Sequence, residues 1–129
     1  MVSNPYQKYQ QSTVQTASPA QLTLMLYDGA IRFIRQSIES IESNNIEKAN
    51  SSLIKAQKIT NELTASLNFQ YPLSTDLARI YEYIVHLLIT ANVNKRKEPA
   101  IEALSYMMDL KEAWAQAAKQ VVSISSHHG

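Results

Sequence analysis

The chain contains no cysteine, and it has only two glycines and four prolines in 129 residues. Without cysteine there can be neither a disulfide framework nor a thiolate metal site, which is compatible with a reducing cytoplasm. A glycine-rich phosphate loop is also excluded, because the glycines are Gly29 and Gly129. The scarcity of turn residues predicts long helices joined by few connections.

The chain also lacks a strong charge of one sign and a long apolar run. Its net charge is +1, so no basic field for a nucleic-acid backbone is expected. No apolar run approaches the roughly 20 residues of a membrane span. Residues 1–18 lack the apolar core of a signal peptide. Length and an apolar content of 45% fit one globular domain.

The strongest helical pattern begins at Ser18, which can act as an N-cap with Pro19 at the first helical position and Gln21 completing a capping box. The following residues form two apolar stripes on a helical wheel. Because a surface helix needs only one stripe, we expect residues 19–42 to form the central helix of a bundle. Gly29 would permit close approach of another backbone. The stripes are Leu22, Leu26 and Phe33, and Tyr27, Ile31, Ile34, Ile38 and Ile41.

Three further stretches repeat apolar residues at spacings of three and four, which is typical of packed helices. We expect Asn44 to cap the second helix, the third to begin near Ser74 and the fourth near Pro99. The predicted seams are Ile46, Ala49, Leu53, Ala56, Thr60, Leu63 and Leu67; then Leu73, Leu77, Ile80, Ile84, Leu87 and Ala91; and then Ala103, Met107, Leu110, Trp114, Ala117 and Val121.

These patterns predict an all-α fold, an antiparallel up-down-up-down four-helix bundle at residues 19–122. Residues 1–18 form an N-terminal arm that can add a short helix, and residues 123–129 form a flexible tail. Tyr6 and Tyr9 in the arm lie three residues apart. Two readings stay open for them: a strap on the bundle or a detachable docking segment.

The third and fourth helices carry a second apolar row besides their seams. Exposing a large aliphatic side chain forfeits about 1.5–3 kcal/mol of burial, and contiguous exposed rows indicate a binding surface. We therefore predict a groove for an amphipathic partner helix. Alternatively, the arm or a rotated bundle covers these rows, or a second copy does so in a homodimer. The predicted groove residues are Ile54, Tyr81, Val85, Leu88, Ile89, Ile101, Leu104 and Met108.

Candidate catalytic and metal-binding residues are few. Glu82 and His86 are four residues apart, but a di-metal bundle needs two Glu-x-x-His sets and further carboxylates. We predict an ordinary surface pair, with no metal and no cofactor. Phosphotransfer through His86 is an alternative that Ile89 and Thr90 disfavour. His127 and His128 lie in the predicted tail, and no nucleophile motif is present.

Three groups of residues, in order along the chain, form a recognisable pattern. The arm and first helix carry the first group, the third helix the second and the last helix the third. The residues are Asn4-Pro5-Tyr6, Tyr9-Gln10-Gln11, Val14, Thr16-Ala17-Ser18-Pro19, Leu22 and Leu24 to Ala30; Ile80 to Ile84, Leu88 and Ala91-Asn92; and Leu110 with Ala113-Trp114. This pattern resembles the FliS family of flagellar secretion chaperones and covers the chain to about residue 120. One position departs, since His86 stands where relatives often have arginine.

The resemblance implies that the chain has no enzymatic activity. It also implies a bacterial cytosolic chaperone that binds the C-terminal segment of newly made flagellin. That segment is disordered until it polymerises, and the chaperone prevents premature assembly. In the family the segment folds into helices over apolar grooves around the bundle. The resemblance also implies that the arm can cover part of this surface, and that Tyr6 and Tyr9 dock on the export gate, the cytoplasmic domain of FlhA.

Overall fold

A computed structural model of the chain describes the backbone of residues 17–128 and the side chains of residues 17–119. Four helices make up this part of the chain: α1 (Pro19–Glu42), α2 (Ile46–Ala65), α3 (Pro72–Asn94) and α4 (Lys97–His128). The all-α bundle expected from the sequence is confirmed. Helix α4 continues beyond the predicted boundary at residue 122. Arm residues 1–16, with Tyr6 and Tyr9, lie outside the described residues.

The start of α1 follows the predicted capping box. The Gln21 backbone N–H donates to the Ser18 hydroxyl at 3.2 Å, and the Ser18 N–H donates to the Gln21 side chain at 2.9 Å. At α2 the predicted cap was wrong by one residue, because Asn45 rather than Asn44 accepts the Lys48 N–H at 3.2 Å. Asn44 instead has a φ of 57°, a turn conformation that asparagine tolerates well. The connection itself covers residues 43–45, and only the capping residue differs from the prediction.

The helices lie at the corners of a bundle in which each packs mainly against two neighbours: α1 against α2 and α4, and α3 against the same two. The connections are short, at residues 43–45, 66–71 and 95–96, and short connections join antiparallel neighbours. The prediction that α1 is central was wrong. Helix α1 has two adjacent helices, as each of the others has, and α3 lies diagonally from it across the core.

The two apolar stripes of α1 contact different parts of the bundle. On the α2 side, the Lys55 ammonium lies 5.3 Å from the centre of the Phe33 ring. A Cβ atom at Gly29 would lie 3.2 Å from Cδ1 of Ile59. The expectation that another backbone approaches Gly29 was therefore wrong, because a side chain lies there instead. On the inner side Tyr27 and Ile34 are fully buried. Helix α1 thus packs on α2 with one stripe and fills the core with the other.

Helix α3 is rotated relative to the seam predicted for it. Leu73 and Ile80, which were predicted to be in the core, are 63% and 37% exposed, and Ser74, Tyr81 and Leu88 are buried instead. The other four residues of the predicted seam, Leu77, Ile84, Leu87 and Ala91, are buried as predicted. The buried residues are Ser74, Leu77, Tyr81, Ile84, Leu87, Leu88 and Ala91.

A tyrosine pair crosses the core between the diagonal helices α1 and α3. The hydroxyls of Tyr27 and Tyr81 share a hydrogen bond, and the two ring centres are 6.5 Å apart. Burial raises the pKa of both hydroxyls above the ordinary value. Hydrogen bonding from the Trp114 side chain of α4 lowers both pKa values, but by less than burial raises them. Because buried hydroxyls are costly unless they are hydrogen-bonded, this pair favours the rotation of α3 that places Tyr81 inside.

Adjacent residues on α3 test this rotation. Leu88→Ala should lower the free energy of unfolding by about 2–5 kcal/mol, because it leaves a cavity in the core. Ile89→Ala, at a position that is 45% exposed, should cost less than about 1 kcal/mol. Urea denaturation of both variants measures the difference. Equal losses would contradict the described rotation.

A double-mutant cycle tests the tyrosine pair. Tyr81→Phe should cost about 1–3 kcal/mol, because the buried Tyr27 hydroxyl loses its partner. The double variant Tyr27→Phe/Tyr81→Phe should cost less than the sum of the two single variants, since neither hydroxyl is then left alone. Denaturant titration of the four proteins gives the coupling energy, and strictly additive losses would rule out the hydrogen bond as a stabilising contact.

Candidate functional site

Most of the predicted groove residues reach the surface. The four exposed side chains are Ile54, Ile89, Ile101 and Met108, each between 37% and 46% accessible. Val85 and Leu104 are half-buried, and Leu104 packs against the core. Large aliphatic side chains at this level of exposure leave apolar area available to a partner.

Two residues of the predicted groove were assigned wrongly. Tyr81 and Leu88 are almost completely buried and belong to the core cluster. The cause is the rotation of α3, which turns these two side chains inward and turns Ile80 outward. Neither residue can contact a partner unless the bundle opens.

Ile54, Val85 and Ile89 lie on the α2–α3 side of the bundle. A hydrogen bond of 2.8 Å between the side-chain amides of Asn92 and Asn50 joins α3 to α2 on this side. Ile54 follows Asn50 by four residues and Ile89 precedes Asn92 by three, spacings that place side chains on the same helix face. Helix geometry therefore places these three residues in one apolar row, the α2–α3 row.

Ile101, Leu104 and Met108 lie on the α1–α4 side. Arg35 of α1 approaches the Met108 sulfur with a guanidinium nitrogen at 3.6 Å, and Lys111 forms a salt bridge of 2.6 Å with Asp28. Spacings of three and four along α4 place Ile101 and Leu104 beside Met108. These three residues are the α1–α4 row.

A cleft of about 480 Å³ runs beside the α1–α4 row, between the two helices. Its apolar part is formed by Ile31 and Met108, and Gln36 and charged side chains of both signs form the rest of its wall. Such a cleft suits the apolar face of a helix with polar residues at its edges. The wall consists of Asp28, Ile31, Arg32, Arg35, Gln36, Glu39, Met108, Lys111 and Glu112.

The two rows lie on opposite faces of the bundle, because the α2–α3 and α1–α4 contacts are opposite sides of the four-helix arrangement. They therefore do not line one groove between them, as the sequence suggested. Positions on α3 and α4 could be assigned to rows by their spacing, but spacing does not say which neighbour each row approaches.

The α3–α4 side carries an aromatic surface that the sequence analysis missed. Tyr83 and Tyr106 meet edge to face with ring centres 5.9 Å apart, and both are exposed. The Tyr83 hydroxyl donates to Glu102 at 2.8 Å, and this hydrogen bond raises the pKa of Tyr83. His86 stacks on the Tyr83 ring. If the buried positions of α3 are counted from Ser74 through Leu77 to Tyr81, helix geometry predicts that the Tyr83 side chain lies on the surface.

The described residues offer little catalytic or metal chemistry. No group of three or more histidine, aspartate or glutamate side chains could hold a metal ion within this part of the chain. His86 is exposed against Tyr83, as expected for a surface residue. None of the described helices is long and apolar enough to span a membrane. What the described surface offers is apolar and aromatic contact area on three faces.

Comparison with known proteins points to one family. A family model described as flagellar protein FliS matches residues 2–121. The flagellar secretion chaperone FliS of Bacillus subtilis strain 168 is 41% identical over 116 residues, 90% of this chain and 87% of the relative. The protein of the same name from Salmonella typhimurium is 30% identical over 109 residues, 82% of this chain and 81% of the relative.

A solved structure supports the fold independently. The crystal structure of a flagellar chaperone from bacteria superimposes with a TM-score of 0.74 at 22% identity, covering 89% of this chain and 95% of that chain. The relatives are named chaperones, which is a non-enzymatic role. The family expected from the sequence motifs is confirmed, and the chain belongs to the FliS family of flagellar secretion chaperones.

Proposed function

We propose that this chain is an export chaperone that binds the disordered C-terminal segment of flagellin in the bacterial cytoplasm. By covering the segment's apolar side chains it prevents premature polymerisation, and it then delivers flagellin to the flagellar type III export gate. The observation that carries the proposal is the presence of two exposed apolar rows, which the chain's own described helices leave uncovered. Membership of a secretion-chaperone family supports the same conclusion.

The chemistry of the rows fits a helical client. Each row repeats at spacings of three and four, so a client helix with apolar residues at i, i+3 and i+4 can lie along it. Met108 adds a flexible side chain that adapts to different contacts. The α1–α4 row is bordered by Arg35, Lys111 and Asp28, which can contact polar groups at the edge of the client helix.

The position of the rows favours a long and flexible client. Because the α2–α3 and α1–α4 rows lie on opposite faces, a single short helix cannot cover both. A disordered segment can wrap around a bundle and fold as it binds. Such folding costs about 2–5 kcal/mol of ordering free energy, and burial of apolar area makes the heat capacity of binding negative. Binding through these rows should depend only weakly on salt.

Aspartate substitutions in the two rows test the proposal. Met108→Asp and Ile89→Asp should each weaken binding of a flagellin C-terminal peptide by about tenfold or more, since each loses burial and would place a charge in an apolar contact. Titration calorimetry measures the affinity and the heat capacity change. Circular dichroism checks that both variants remain helical, as expected for exposed positions.

Leu73→Asp is the matched control, because Leu73 is exposed at the start of α3 and belongs to neither row. It should bind the peptide as tightly as the parent protein. Absence of micromolar binding by the parent would end the proposal. Sedimentation would show whether the parent protein is a dimer. If it is, and if Met108→Asp or Ile89→Asp dissociates it, the rows bind a second copy of the chain instead of flagellin.

We also propose that Tyr6 and Tyr9 of the arm dock on the cytoplasmic domain of FlhA. These residues lie outside the described residues, and the support is the resemblance of the arm to that of the family. Tyr6→Ala/Tyr9→Ala should weaken binding to the isolated FlhA domain while flagellin-peptide affinity is not reduced, because the rows lie on the bundle. Biolayer interferometry with both ligands would separate the two effects. Unchanged FlhA binding would exclude the arm as the docking element.

A further inference from the structure

The α3–α4 face differs in chemistry from the two apolar rows. Its centre is the exposed Tyr83 and Tyr106 pair, and Ile80 extends the apolar surface along α3, one turn before Tyr83. The Tyr83 hydroxyl holds the Glu102 carboxylate beside the rings at 2.8 Å. Asp109 follows Tyr106 by three residues on α4, a spacing that places it on the same face. The face thus combines aromatic rings with carboxylates.

Cationic side chains are few on the helical stretches that form this face. Residues 80–94 of α3 and 99–110 of α4 include neither lysine nor arginine, and the exposed Arg79 borders the face four residues before Tyr83. Three other cations at the ends of these stretches are engaged elsewhere: Lys111 with Asp28 on the α1–α4 side, Arg96 with Glu98, and Lys95 with Asn92. The carboxylate of Glu102 accepts a hydrogen bond from the Tyr83 hydroxyl and lies beside the tyrosines.

We propose that this face binds an arginine-bearing amphipathic helix of a partner protein. A guanidinium group stacks on a tyrosine face and donates two parallel hydrogen bonds to a carboxylate, and Tyr83, Tyr106 and Glu102 offer these two features together. Ile80 would contact the apolar side of the same helix. The carboxylates repel nucleic-acid phosphates and anionic lipid headgroups, which leaves a basic protein segment as the complementary partner.

This surface is separate from the proposed client rows. The α2–α3 row and the α1–α4 row lie on the outer flanks of α3 and α4, whereas Tyr83 and Tyr106 meet across the groove between the two helices. A partner on this face can therefore bind while a client covers both rows. The two kinds of contact also differ in salt dependence, because charge pairing is screened and apolar burial is not.

Two synthetic helical peptides test the proposal on the full-length chain. Both contain leucine and alanine on one face, with arginine on the polar face of the first and glutamate on that of the second. We expect the arginine peptide to bind and the glutamate peptide not to bind, as measured by fluorescence anisotropy. Tyr106→Ala should weaken the arginine peptide's affinity by about tenfold through loss of the aromatic contact.

Glu102→Gln isolates the charge. A glutamine oxygen can still accept the Tyr83 hydroxyl proton, so the ring keeps its partner while the carboxylate is lost. This variant should bind the arginine peptide less tightly and with a smaller dependence on salt. Glu62→Gln is the matched control, because Glu62 is an exposed glutamate of α2, a helix that does not form the α3–α4 face. Its affinity should equal that of the parent.

Several outcomes would overturn the proposal. Equal binding of both peptides, or equal weakening by Glu102→Gln and Glu62→Gln, would show that the interaction is not specific to this face. Displacement of the arginine peptide by a flagellin C-terminal peptide would assign the face to the client surface. A dimer in sedimentation that Tyr106→Ala dissociates would assign it to a second copy of the chain.

Discussion

The hydrogen bond between Tyr27 and Tyr81 is the contact on which the arrangement of the surface depends. It joins the two diagonal helices α1 and α3, which otherwise pack mainly against their neighbours. Turning α3 so that Ile80 pointed inward would expose an aliphatic core residue, Leu88, and would separate two buried hydroxyls. Because a buried hydroxyl without a partner is costly, the pair selects one rotation of α3. That rotation decides which side chains reach solvent.

Three faces with different chemistry follow from this rotation. The α2–α3 row and the α1–α4 row are aliphatic and lie opposite each other, whereas the α3–α4 face carries tyrosines and a carboxylate. Apolar rows accept any helix with a suitable apolar stripe, and charge on a neighbouring face discriminates between partners. A bundle of four helices can thus present separate surfaces to a client and to another protein, without any moving part.

The proposed chaperone activity depends on the apolar contact area of the two aliphatic rows. A chaperone for a self-assembling client must cover the apolar side chains that would otherwise pack against other copies of the client. Rows on opposite faces require a client that crosses from one to the other, and a disordered segment can do so because it has no fixed shape before binding. The same geometry explains why no deep enclosed pocket is needed for the proposed function.

The sequence by itself determined the helices, the Ser18 capping box and the family, because capping chemistry, apolar spacing and the motifs of the arm and helices are local properties of the chain. It also indicated surplus apolar surface, and Ile89, Ile101 and Met108 are indeed exposed. Only the tertiary structure decided that Tyr81 and Leu88 are buried, that the rows lie on opposite faces and that Tyr83 meets Tyr106. On a helical wheel, Ile80 and Tyr81 both fit a spacing of three and four, and the choice between them is made by a partner on α1, distant in sequence, whose buried hydroxyl needs a hydrogen bond.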